Sequence, residues 1–256
     1  MKKLFFQSCV QLTNHRLSSQ LLKGFTNSKL SAFTVPSYAK VFNIDQTEMA
    51  KSLHEYKTLH ELFTRELKLD ARVIDQDSNS IVSPVDGIIS QSGKLMDGTT
   101  FHVKGQNYCI KEMLGSSEKK ERYKNGSYLI VYLSPSHYHR IHSPINGQIV
   151  NQWELGKRSY PVNRMGLVYG QRPLSKNYRV ITEIAADGKQ LAVVKIGAMN
   201  INTIELTHKG KDIKKGQELG YFSFGSTVIL LTEKNFVHFD NLEQEIKMGQ
   251  SIGWFE

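Results

Sequence analysis

Two cysteines in 256 residues, Cys9 and Cys109, cannot supply a disulfide framework or a Cys-rich metal knuckle. They read as free thiols in a reducing compartment. Nowhere does the chain hold the roughly 20 consecutive apolar residues that a membrane-spanning helix needs, so any membrane contact is expected to be peripheral. Acidic residues are absent from Met1 to Ile44, while Lys2, Lys3, Arg16, Lys23, Lys29 and Lys40 all fall there. Lys2 and Lys3 imitate the start of an export signal. Leu4-Phe5-Phe6 gives way at once to Gln7, an apolar core far too short for export, so the chain is expected to stay inside.

What is present is ordinary globular material, 39% hydrophobic and 22% charged, enough for one large or two small domains. The balance of 33 basic against 24 acidic residues, +9, calls for an anionic partner. No nucleic-acid recognition motif accompanies it, which leaves an acidic membrane surface. On a helix, Phe6, Val10, Leu17, Leu21 and Phe25 form one apolar stripe with Arg16 and Lys23 beside it. That pattern suits an interfacial helix, and equally one packed on its own domain.

Asp45-x-x-Glu48 and Thr58-x-x-Glu61 have the form of helix starts. Met49, Leu53, Tyr56, Phe63 and Leu67 follow at helical spacing, predicting two helices or one bent one. The polar stretch Asp70 to Ser80 marks a boundary between a helical, basic, membrane-contacting region (1–75) and a β-rich catalytic domain (76–256). Short β-rich runs then alternate with Gly, Asn and Asp: Ile81 to Val85, Gly87 to Ser90, Tyr128 to Leu133, Gly147 to Trp153, Arg179 to Ala185, Leu191 to Ile196, Thr203 to Leu206 and Thr227 to Leu231. Ser83-Pro-Val-Asp-Gly87 is echoed in Ser143-Pro-Ile-Asn-Gly147, each opening a strand, which points to duplicated barrel or sandwich units. The stretch from Gly156 to Tyr178 has little periodicity and reads as a long functional loop. The expected fold class is α+β: N-terminal helices, then one mainly antiparallel β domain.

Three of the nine histidines, His137, His139 and His142, stand within six positions after an apolar strand. His137-x-His139 permits a zinc hydrolase on a duplicated β barrel, although no third ligand motif accompanies it. Imidazoles near neutral pH also suit acid and base work. Asp86 fits a simple Asx turn before glycine, and Gly225-Ser226-Thr227 a turn ahead of a strand. Taken together, Asp86, His142 and Ser226 make up a Ser-His-Asp set in a permitted chain order. A non-enzymatic scaffold related to lipoyl-type barrels is a third reading, without a clear modifiable lysine at a hairpin tip.

The blocks Leu59-His-Glu-Leu-Phe-Thr-Arg-Glu-Leu67, Ser83-Pro-Val-Asp-Gly87, Lys104-Gly-Gln106, Tyr138-His-Arg-Ile-His142, Tyr160-Pro-Val-Asn163, Gly197-Ala-Met-Asn200 and Lys215-Gly-Gln-Glu-Leu-Gly-Tyr-Phe-Ser-Phe-Gly-Ser-Thr227 resemble, in order, the signature blocks of bacterial phosphatidylserine decarboxylase proenzymes. Phe224 stands where the family often has Leu, which spares the Gly225-Ser226 bond. Tyr178 stands where it often has Glu.

The resemblance implies self-cleavage between Gly225 and Ser226. His142, held by Asp86, takes the Ser226 proton; the oxygen attacks the Gly225 carbonyl; β-elimination then leaves β and α chains, with a pyruvoyl cofactor made from Ser226. It also implies decarboxylation of phosphatidylserine to phosphatidylethanolamine, with His139 at the carboxylate or reprotonation step and no metal. Asn177 or Arg179 is expected near the lipid phosphate. The partner is an anionic phospholipid membrane, the location peripheral on the cytoplasmic face of the inner membrane, and a homodimer is left open.

Overall fold

The computed structural model describes residues 16–198, 204–223, 226–240 and 245–256; the expected stripe positions Phe6 and Val10, and Cys9, lie outside them. Helices are short: α1 (Arg16–Asn27), α2 (Val35–Val41), α3 (Leu59–Phe63), α4 (Ile110–Leu114), α5 (Ser117–Arg122), α6 (Arg164–Tyr169) and α7 (Pro173–Lys176). None is long and apolar enough to cross a membrane among the described residues. The strands are β1 (Ser80–Val82), β2 (Gly87–Lys94), β3 (Thr100–Val103), β4 (Gln106–Cys109), β5 (Ser127–Leu133), β6 (Arg140–His142), β7 (Gly147–Leu155), β8 (Arg179–Ala186), β9 (Lys189–Gly197), β10 (Ile204–Leu206), β11 (Asp212–Ile213), β12 (Glu218–Phe222), β13 (Ser226–Thr232), β14 (Val237–Phe239), β15 (Glu245–Ile246) and β16 (Ser251–Phe255). They pair antiparallel, giving the expected α+β class.

The Thr58 start behaves as its chemistry requires. Its hydroxyl accepts from the Glu61 amide at 3.0 Å, and the Glu61 carboxylate accepts from the Lys57 amide at 2.8 Å, opening α3. The expected helix at Asp45 does not form. The Asp45 carboxylate turns back onto the Thr47 amide and hydroxyl, at 2.8 and 2.6 Å, an Asx turn that competes with helix. Glu48 is drawn to Arg72 and Lys247. Met49 and Tyr56 nonetheless reach a small core with Val35, Ala39, Ile44, Leu59 and Leu62. The stretch from Gly156 to Tyr178 is not an open loop: it holds α6 and α7.

The main sheet runs β11-β7-β8-β9-β13-β5-β2-β15 and does not close. Alternation along β13 sends Val228 and Leu230 to one core, with Ile141, Leu219 and Phe222, and Ile229 and Leu231 to the other, with Met113, Tyr123 and Ile181.

The Ser-Pro echo is a real duplication. Sheets β1-β16-β14 and β6-β12-β10 repeat one arrangement, as do the pairs β2-β15 and β7-β11. The Ser83 and Ser143 hydroxyls donate to the oxygens of Val85 and Ile145. Each turn is clamped by a second, longer repeat, Asp212-Ile-Lys-Lys-Gly-Gln-Glu-Leu-Gly-Tyr-Phe222 and Glu245-Ile-Lys-Met-Gly-Gln-Ser-Ile-Gly-Trp-Phe255. Gly216 and Gly249 sit at φ +78° and +90°, where a side chain is strained, and donate to the oxygens of Ser143 and Ser83 at 2.8 and 3.0 Å.

Candidate active site

The histidine segment leaves β5 through a tight turn in which His137 Nδ1 accepts from the Ser134 amide at 2.9 Å. Its Nε2 therefore carries the proton, facing Glu245 at 3.3 Å. Arg65, just past α3, reaches across to donate Nη2 to the oxygens of Ser136 and His137 at 2.7 and 3.0 Å. The N-terminal region is thereby tied to the histidines.

His139 is completely buried, its ring 3.9 Å from that of Phe63. Nδ1 lies 2.8 Å from the His137 oxygen, which can only accept, so Nδ1 carries the proton and Nε2 presents a lone pair. That Nε2 is buried and has no hydrogen-bond partner among the described residues. Burial first, and then the charge of Arg65, push the imidazole well below its ordinary pKa. It is a neutral group in a dry place, suited to moving a proton.

His142 ends β6. Its Nδ1 donates to the Gly216 oxygen at 2.9 Å, and its Nε2 accepts from the Tyr138 hydroxyl at 3.3 Å. Burial lowers its pKa, opposed by the Gly216 carbonyl and by the charges of Glu218 and Asp86. Asp86 lies in the adjoining turn, joined through the His142 amide, which donates to Pro84 at 2.8 Å. Its carboxylate takes both forks of Arg72 and the Met248 amide at 2.9 Å.

Ser226 is the first residue of β13, paired with Leu133 and Gly197. Its side chain shares a sheet face with Val228 and Leu230, toward the core that holds Ile141 of β6. The Oγ is buried and has no partner among the described residues. Gly225 lies outside those residues. Four residues upstream, the Phe222 amide donates to the His139 oxygen at 3.0 Å, bringing the histidine segment alongside the approach to Ser226.

The turn of Asp86 and the strand of His142 adjoin, and the three members of the Ser-His-Asp set form no hydrogen-bonded relay among the described residues. Asp86 and His142 are each engaged elsewhere. Asn177 and Arg179, expected near the lipid phosphate, lie among main-chain groups. Asn177 bonds the amide and oxygen of Tyr160 and the oxygen of Gly197; Arg179 donates to Met113, Asn177 and Glu112 oxygens. Both are buried and engaged with main-chain groups. No group of three potential metal ligands occurs among the described residues, which leaves the His137-x-His139 zinc reading without a third donor.

Sequence reasoning missed Arg65, Arg72, Tyr138 and Gly216. Arg65 and Tyr138 sit inside the blocks quoted above, and the Gly216 signal was the Lys-x-Gly-Gln repeat at 214–217 and 247–250.

The family model for phosphatidylserine decarboxylase matches residues 59–254. A phosphatidylserine decarboxylase proenzyme of Geobacillus sp. (strain WCH70) is 54% identical over 259 residues, spanning 100% of both chains. Those of Bacillus thuringiensis (strain Al Hakam) and Bacillus cereus (strain B4264) are 51% identical over 252 residues, covering 98% of this chain and 95% of theirs. The chain belongs to the phosphatidylserine decarboxylase family.

Proposed function

We propose that this chain is a proenzyme that cuts itself between Gly225 and Ser226 and then decarboxylates phosphatidylserine to phosphatidylethanolamine. The observation that carries the reading is a pair of buried polar atoms without a partner among the described residues, Ser226 Oγ and His139 Nε2. Leaving such atoms unbonded costs on the order of 1–3 kcal/mol each, and here they coincide with the two groups that cleavage and proton transfer require.

In the first reaction His142 Nε2 takes the Ser226 proton and the oxygen attacks the Gly225 carbonyl, converting amide to ester. β-Elimination frees the new Gly225 carboxylate. The dehydroalanine left at 226 adds water and releases ammonia, which leaves the pyruvoyl group. Ser226 fits this precursor role: it opens a fully buried strand, and losing its hydroxyl removes an orphan rather than a bond.

When present, the pyruvoyl carbonyl supplies an electron sink for the carbon that loses carbon dioxide. His139 Nε2, its lone pair kept free by the Nδ1 bond to the His137 oxygen, would accept the proton that the substrate's ammonium loses and return it to that carbon. Phe63, itself buried, packs its ring against the imidazole.

A lipid substrate requires docking at a bilayer. Leu21, Leu30, Phe33 and Val41 are 75%, 75%, 77% and 71% exposed, amid Lys23, Lys29 and Lys40. Such a surface favours peripheral attachment to an anionic leaflet at about 1 kcal/mol per basic residue, and the cytoplasmic face of the inner membrane offers one.

Intact mass spectrometry of the purified protein tests the reading. Two chains are expected, 1–225 and a blocked 226–256, with Ser226→Ala remaining at full length. A single wild-type chain with its Ser226 amide intact would refute it.

A further inference from the structure

Arg65 is only 4% exposed, yet among the described residues it has no carboxylate within ion-pair distance. Its bonds all run to main-chain oxygens, those of Leu62, Ser136 and His137. Its Nε has no partner among the described residues. A buried guanidinium without a counter-ion is costly and calls for an anion.

The same residue lines a cavity of about 140 Å³ with Lys51, Tyr56, Glu61, Glu66 and Arg140. The Tyr56 hydroxyl, also buried, finds no acceptor for its proton among the described residues. Both orphans are therefore donors, and both belong to side chains that line one cavity. The carboxylates at its wall are engaged: Glu61 with the Lys57 amide, and Glu66 with Arg140, which also holds Glu218. Lys51 is exposed at the mouth and has no ion-pair partner among the described residues.

We propose that this cavity is an oxyanion site for a phosphate group, held by Arg65 Nε, the Tyr56 hydroxyl and the Lys51 ammonium. Its place favours the phosphodiester of a membrane lipid as the source. Tyr56 packs in the small core with Val35 and Ala39 of α2, and that helix and the turn before it carry the exposed Phe33, Leu30 and Val41. Acyl chains at those side chains bring headgroup phosphates to the same side of the molecule. Arg65 also touches the oxygen that fixes His139, so an anion here sits one side chain from the candidate catalytic imidazole.

The lipid assignment rests on the decarboxylase reading; the phosphate chemistry does not. Calorimetric titration of the full chain with inorganic phosphate, at ionic strength matched with chloride, tests the site directly. Saturable binding is expected, weakened about fivefold by Tyr56→Phe, the worth of one hydrogen bond, and severalfold by Lys51→Ala. Tyr56→Phe keeps the ring and its packing, so an unchanged melting temperature excludes misfolding. Absence of binding, or binding undiminished by both substitutions, overturns the proposal. Cosedimentation with phosphatidylserine vesicles then separates the sources. Loss in parallel with phosphate binding supports a lipid headgroup, whereas vesicle binding untouched by both substitutions supports free phosphate at the same site. A protein that binds phosphate here but never cleaves itself would refute the decarboxylase reading and leave this site standing.

Discussion

Asp86 and Asn146 occupy equivalent places in the duplicated fold: one side-chain oxygen of each accepts a main-chain amide at 2.9 Å, from Met248 and Lys215 respectively. The shared bond is a turn clamp that an amide serves as well as a carboxylate. What Asp86 has in addition is charge, held by Arg72.

Asp86→Asn therefore separates the two roles. The turn should survive, with a loss on the order of 1–3 kcal/mol for the weakened Arg72 pairing, readable in a denaturant melt. If the charge serves self-cleavage, the variant stays at full length by mass. A folded Asp86→Asn protein that cleaves at the wild-type rate would reduce Asp86 to a turn residue.

A second prediction concerns the base. In this arrangement the lone pair of His142 Nε2 is occupied by the Tyr138 hydroxyl, so the Ser226 hydroxyl must displace it. Tyr138→Phe removes the competitor, and one neutral hydrogen bond of about 0.5–1.5 kcal/mol converts to a cleavage rate roughly two- to tenfold faster. His142→Ala should not cleave. Pulse-labelled protein followed on denaturing gels measures both; a slower Tyr138→Phe protein would show that the hydroxyl assists the base.

Much of this was legible because it is local. Thr58 and Glu61 cap a helix with atoms three residues apart, and the runs at Tyr128 to Leu133 and, Lys195 apart, Leu191 to Ile196 are apolar on both faces because the sheet is covered on both. The Ser83 and Ser143 turns announced a duplication. Asp45 misled, since its capping pattern is also that of an Asx turn, and only the distant Arg72 and Lys247 decide where Glu48 goes. The coupling of Arg65 to His137 spans more than seventy residues. No periodicity records such a contact, so a buried arginine in a helical block read simply as part of that block. Arg179 is the opposite case: a cation near a polar segment suggests phosphate, and only the fold shows that main-chain oxygens take its guanidinium.

Membrane docking gives a third prediction. Burying a side chain such as Leu30 or Phe33 contributes about 1.5–3 kcal/mol, so Leu30→Asp with Phe33→Asp should reduce cosedimentation with anionic vesicles at least tenfold. Both positions are exposed and the ring contact of Phe33 is to the part-exposed Phe25, so the melting temperature should hold. Raising salt to about 0.5 M should weaken the wild type as well, because Lys23, Lys29 and Lys40 act through a screened field. Undiminished sedimentation of the double variant would move the docking face elsewhere.

The last prediction tests the sheet itself. Lys195 lies in β9 with its ammonium completely buried, bonded at 2.5 Å to the Thr182 hydroxyl, and burial brings its pKa down to about 7. In the unfolded chain the same amine titrates near 10.5. Between those values the unfolded state holds a proton that the folded state has shed. Folding stability attributable to this residue therefore rises as pH rises through the window, by at most about 1.4 kcal/mol per unit, and the penalty is complete below pH 7. Lys195→Met removes it: the variant should be more stable at pH 7 by on the order of 2–4 kcal/mol. The two stability curves should converge toward pH 10. Urea melts at pH 7, 8 and 9 measure the difference directly, and parallel curves for the two proteins would mean that Lys195 keeps an ordinary pKa in the core.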